Sequence, residues 1–183
     1  MRVITCVVAV VVMLAGAALY AMEPAGVQAP GEEPKAMAFK RGSEPAEGFE
    51  DVRWGAPLRE FPALVLSRCG IYGVADLCLY RLDDTPEETE KVEEVDVNLL
   101  FWRERLFGLE LTTQGGGNWP RFRDMVFREF GGPASPAAGD EFEWEGEKAL
   151  AHLFYSYRSR KASLLIVSVE IGDEMERSAG QGQ

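Results

Sequence analysis

The scarce residues of this chain are the ones whose chemistry can be argued. Cysteine occurs only at Cys6, Cys69 and Cys78, and histidine only at His152. The stretch SRCGIYGVADLC, Ser67 to Cys78, brings two of the thiols close together in sequence. Its spacing excludes the C-x-x-C arrangement of thiol–disulfide catalysts. A zinc site needs four ligands, or three plus water, and with one imidazole in the chain a Cys–His set reaches three at best. In an oxidising compartment two thiols of a small domain pair, and closing so short a loop stabilises the fold by about 2 to 3 kcal/mol in the chain-entropy account. A Cys69–Cys78 disulfide is therefore the expectation, with two buried free thiols as its alternative.

Other reactive patterns are weak. Nucleophilic catalysis needs a nucleophile beside a base that a third group orients. His152 lies in the middle of an apolar run, where a partly buried, hydrogen-bonded sheet residue is the expected role. The chain carries no G-x-S-x-G, H-E-x-x-H or G-x-x-x-x-G-K segment. QGGGNWP, Gln114 to Pro120, brings three glycines to a helix start, which could cradle an anion through backbone amides. It lacks the lysine and the preceding parallel strand of a phosphate loop and reads as a connection. The acidic run LDDTPEETEKVEEVD, Leu82 to Asp96, supplies the oxygen ligands calcium prefers, without the calcium-loop spacing. Thr85-Pro86-Glu87-Glu88 within it reads as a capping box opening a helical turn. No enzymatic activity, metal or cofactor is expected from these patterns.

The compartment is read from the first residues. Arg2 is followed by an apolar run from Val3 to Leu19 and by small residues at Ala15, Ala17, Ala18 and Ala21. That is the pattern of a secretory signal peptide, although the run is about long enough to cross a bilayer as an uncleaved anchor. Cleavage after Ala21 or a few residues earlier is expected; it removes Cys6, which is too far upstream to be a lipid-attachment site, and leaves no stable membrane insertion. The location is then periplasmic or extracellular. The net charge of −11 argues against nucleic acid, whose phosphates demand a basic face. Residues 22–48, rich in Pro, Glu, Gly and Ala, bury too little to offset their ordering entropy and are expected as a disordered leader. Residues 172–183, GDEMERSAGQGQ, are expected as a flexible tail. One domain over 49–171 remains.

Elements within it are legible from periodicity. GGNWPRFRDMVFREFGGP sets Trp119, Phe122, Met125, Val126 and Phe130 on one helical face, with Asn118 as N-cap and Gly131, Gly132 and Pro133 as the stop. EFEWE, KALAHLFYSY and SLLIVSVEI read as strands, the last two joined by RSRK as an antiparallel hairpin. VDVNLLFWRERLFGLELTT reads as a second hairpin turning at RER. RWGAPLREFPALVLSR offers Leu58, Phe61 and Leu64 or Val65 at helical spacing. The expected fold is α+β: an antiparallel sheet with helices on one face, in two helix-plus-hairpin units.

The opening GFEDVRWGAPLREF, Gly48 to Phe61, resembles the F-x-x-x-x-W-G start of small uncharacterised exported bacterial proteins, as do FGGP at Phe130 and W-x-G at Trp144. That resemblance spans most of the domain and implies no known activity. The order of elements is similar to that of beta-lactamase inhibitor-like and small envelope-assembly proteins, which implies protein binding and not catalysis. No binding residue carries over from either.

In the last hairpin both parities are apolar: Ala151, Leu153 and Tyr155 alternate with Leu150, His152 and Phe154, and Leu165 and Val167 with Leu164 and Ile166. A sheet with helices on one face leaves its other face polar, so something must cover this one. A loop of the same chain or a partner, either an envelope protein or a second copy, is the expected cover. The expected partner surface comprises Trp102, His152, Phe154 and Ile166. The function expected is that of an exported, non-catalytic binding or accessory protein, with a small-ligand or cation-binding protein as the alternative.

Overall fold

The computed structural model describes residues 36–49, 52–82, 95–133 and 140–180. The expected signal segment with Cys6, most of the leader and most of the acidic run lie outside these residues. Within them the chain forms β1 (Met37–Ala38), β2 (Gly48–Phe49), β3 (Val52–Arg53), β4 (Leu64–Cys69), β5 (Leu77–Leu82), β6 (Val95–Trp102), β7 (Arg105–Gln114), α1 (Trp119–Phe130), β8 (Glu141–Glu145), β9 (Ala149–Ser156), β10 (Lys161–Ser168) and α2 (Val169–Gly180). Eight strands join one sheet in the order β1-β8-β9-β10-β7-β6-β5-β4, and β2 pairs with β3 as a small ribbon. The sheet is mixed: β1 runs parallel to β8, and the other neighbours are antiparallel.

Both expected hairpins form. β6 and β7 turn through Arg103 and Glu104, whose φ values of 49° and 61° match the twist of a two-residue hairpin turn. Arg103 is held there by the Asp76 carboxylate at 3.3 Å and by the Trp102 ring at 4.5 Å. α1 also forms where expected, burying Trp119, Phe122, Val126 and Phe130, while Met125 stays exposed. Gly131 ends it with φ 93° and donates its amide to the Phe127 carbonyl. Asn118 occupies the expected cap position but makes no side-chain cap bond. Its Nδ2 donates instead to the Gln114 carbonyl at 2.9 Å, back toward β7.

Three expectations fail for physical reasons. Leu58 to Val65 forms no α-helix: a 3-10 turn spans Leu58–Glu60, and β4 begins at Leu64. Pro62 drives the preceding Phe61 out of helical geometry, to φ −120° and ψ 68°. The two helix-plus-hairpin units therefore do not exist. Residues 172–180 are part of α2 and not a flexible tail. Ser168 closes β10, and its Oγ accepts the Ile171 amide at 3.4 Å, an N-cap contact that starts the helix. The described part of the leader is docked as well. β1 joins the sheet edge, Phe39 packs on Phe130 at 5.2 Å, and the Glu44 carboxylate accepts the Lys148 and Ala149 amides at 2.6 and 3.1 Å.

Register then distributes the core. Residues directly opposite across strands share a face, and alternate residues along a strand change face. On the first face lie the cross-sheet rows Trp144-Ala151-Ile166-Leu109-Leu99 and Phe142-Leu153-Leu164-Leu111. α1 packs there, with Phe39, Phe49 and Trp54 beside it. On the second face the row Leu150-Val167-Gly108-Leu100-Leu79 packs with Ile71, and with Ile171 and Met175 of α2. The two helices thus belong to different hydrophobic clusters, one for each face of the sheet.

Candidate functional site

Along the strands the second face changes from apolar to polar. The next cross-sheet row reads Glu143-His152-Leu165-Glu110-Asn98-Arg81-Val65, and the one beyond it Glu141-Phe154-Ser163-Thr112-Asp96. The cluster under α2 takes Leu165 from these two rows and none of their other residues. The open half holds a groove of about 760 Å³, lined among others by Ser67, Arg68, Arg81, Asn98, Glu110 and Lys161.

Electrostatics in the groove are mixed. Among the described residues, Arg68, Arg81 and Lys161 form no ion pair. Glu110 is buried, with 9% of its surface exposed, and its carboxylate accepts the Asn98 amide at 3.3 Å. Burial first, and then the Glu110 charge, push the phenol of neighbouring Tyr72 up to about 12, with Arg68 opposing. Among the described residues the groove thus offers three cations outside any ion pair, amide and hydroxyl groups, the shielded carboxylate of Glu110 and the carboxylate of Asp96.

At the other end of the same face His152 meets Glu141, with Nε2 and Oε1 2.8 Å apart. That hydrogen bond, more than the charge behind it, holds the Glu141 carboxyl below the usual carboxylate range, against the opposing effect of burial. Glu143 lies directly opposite His152 in the register, and one donor atom from each of Glu141, Glu143 and His152 falls within 4.8 Å of the others. The Phe154 ring stacks on the imidazole at 5.2 Å.

No protein family, curated protein or solved structure matches the chain. The site is accordingly built from this chain's residues alone.

The expected partner residues separate into three environments. His152 and Phe154 share the second face. Ile166 lies on the first face, fully buried against Ala151 and Leu109, because the residue opposite His152 on β10 is Leu165 and not Ile166. Trp102 is 5% exposed in the cluster under α2, so it presents no surface. Cys69 and Cys78 face each other across β4 and β5 and are bonded as a disulfide. The glycines of the Gln114–Pro120 loop form a connection, with the Gly115 amide donating to the Arg160 carbonyl. Glu141, Glu143, Arg68, Arg81 and Lys161 were not singled out by sequence reasoning. The alternation in EFEWE does put both glutamates on one face, but only strand register brings His152 to them.

Proposed function

We propose that this is an exported, non-catalytic binding or accessory protein that engages a partner protein over the open half of its second sheet face. The observation that carries the reading is the groove there, where Arg68, Arg81 and Lys161 form no ion pair among the described residues. Three cations beside the carboxylates of Asp96 and Glu110 suit a partner segment of mixed charge with acidic groups placed against Arg68, Arg81 and Lys161. Export is supported by the signal-like first residues and by the Cys69–Cys78 disulfide. Among the described residues no helix is long and apolar enough to cross a membrane. A non-catalytic role is supported by the engagement of the only imidazole, that of His152, with Glu141 and Phe154.

The test is affinity capture from an envelope extract, comparing the protein with an Arg68→Glu, Arg81→Glu variant of unchanged melting temperature. One acidic-segment partner recovered at equal stoichiometry, and lost by the variant, is the expected result. Equal recovery by both proteins, or no recovery even after crosslinking, removes this reading. A second reading, a small ligand in the groove, is favoured by the groove's volume, and a retained small molecule in native mass spectra would select it.

A further inference from the structure

At the β8 edge of the same face the chain assembles a set of donors that partner binding does not require. We propose that Glu141, Glu143 and His152 form a binding site for one first-row transition-metal dication. Glu141 and Glu143 stand two residues apart on β8, so they share a face, and His152 on β9 is directly opposite Glu143. On the reverse side of β8, Phe142 and Trp144 are buried in the first-face core, which holds the strand in place. The His152 side chain is 13% exposed and stacked on Phe154, so the imidazole is pinned.

Distances fit a shared ion. Zinc bonds to nitrogen and oxygen of about 2.0 to 2.2 Å put tetrahedral donors about 3.4 Å apart. Nε2 of His152 and Oε1 of Glu141 stand at 2.8 Å, and all three donors lie within 4.8 Å. A shared ion therefore asks the two glutamate carboxylates to shift relative to the imidazole, while β8 and β9 keep their register. The ion takes the place of the proton between His152 and Glu141, which leaves to solvent from a charged ring or moves to Nδ1 of a neutral one, so that the bound imidazole is neutral. One imidazole and two carboxylates suit zinc, cobalt, nickel, copper or manganese, whereas calcium and magnesium favour all-oxygen sets. The net charge of −11 draws cations toward the surface. Three protein donors leave a further coordination position to water.

The alternative is an ion pair between His152 and Glu141 with no affinity for metal. It is tested by stripping the purified protein with a chelator and titrating Zn²⁺ against a chromophoric competitor, while following the imidazole nitrogens by NMR. The expected result is one equivalent bound with a displaced His152 resonance, undiminished by excess Mg²⁺. Glu143→Gln and His152→Ala should each weaken binding ~10-fold or more. Glu143→Gln, a substitution away from the core, keeps the test valid should His152→Ala fold poorly. An unmoved imidazole resonance, or an affinity unchanged in Glu143→Gln, overturns the proposal and assigns any bound zinc to other carboxylates. The partner-capture variant alters neither strand of this site, so the two readings fail separately.

Discussion

Gly108 of β7 sits directly opposite Val167 of β10. A methyl group there would lie 2.6 Å from the Ile166 carbonyl oxygen and 2.9 Å from Val167 Cγ1. Gly108→Ala is expected to cost about 1 to 3 kcal/mol, the usual range for overpacking, as read by denaturant unfolding. Gly117→Ala meets nothing within 4 Å and should stay within ~0.5 kcal/mol of the parent. Glu176 makes a different residue-scale prediction. Its Oε1 is shielded from solvent and has no hydrogen-bond partner among the described residues. Burial, and then the Asp173 charge, hold its carboxyl above the ordinary value of 4.5. The folded state therefore binds this proton more tightly than the unfolded chain does. Its contribution to stability is intact below pH 4.5 and is lost as pH rises through the folded value. Glu176→Gln should raise the melting temperature near neutral pH and leave it nearly unchanged in acid; a gain of equal size at both would refute the assignment.

At the scale of elements, the edge strand β4 and the closing helix α2 are the parts whose attachment is most exposed to test. Among the described residues β4 pairs with β5 alone, and Val65 and Leu66 on it are exposed; Cys69–Cys78 ties it to β5. Replacing both cysteines by serine should cost about 2 to 3 kcal/mol, measured against the oxidised parent by thermal or chemical unfolding. α2 is held by the Ser168 cap, by Ile171 in the second-face core, and by Arg105 Nη1 to Glu174 Oε2 at 2.6 Å. Ser168→Ala should lower stability by ~1 kcal/mol as a lost cap, and Ile171→Ala by about 2 to 5 kcal/mol as a buried cavity. Arg105→Ala should cost no more than ~1 kcal/mol, since that ion pair is substantially exposed.

For the whole molecule, the arrangement answers why the last hairpin is apolar on both parities. The sheet is a middle layer with a core on each side, and α2, from the segment expected to be a tail, covers the second face. A chain ended at Ser168 would leave Leu150, Leu165 and Val167 without Ile171 and Met175 above them. It should bind hydrophobic dyes and self-associate, and light scattering of that variant checks the point. The cover stops short of the polar rows, and that is what leaves a groove at Arg68 and Arg81 and a donor set at His152.

Sequence alone determined the elements whose signals lie within one segment. α1 was legible from the spacing of Trp119, Phe122, Val126 and Phe130, the two hairpins from strand-like runs joined by the short polar connections RER and RSRK, and the cysteine pairing from the oxidising compartment that the signal-like first residues suggest. What only tertiary structure decided depends on contacts between residues distant in sequence. Leu64–Cys69 is a strand because β5 pairs with it and Pro62 blocks a helix. Val169–Gly180 is a helix because Ile171 and Met175 find an apolar face to cover. Strand register, a long-range quantity, assigned Ile166 to one face and His152 to the other. Periodicity shows that neighbouring strand residues part company but not which distant strands meet, so Glu141, Glu143 and His152 became one cluster only when β8 paired with β9.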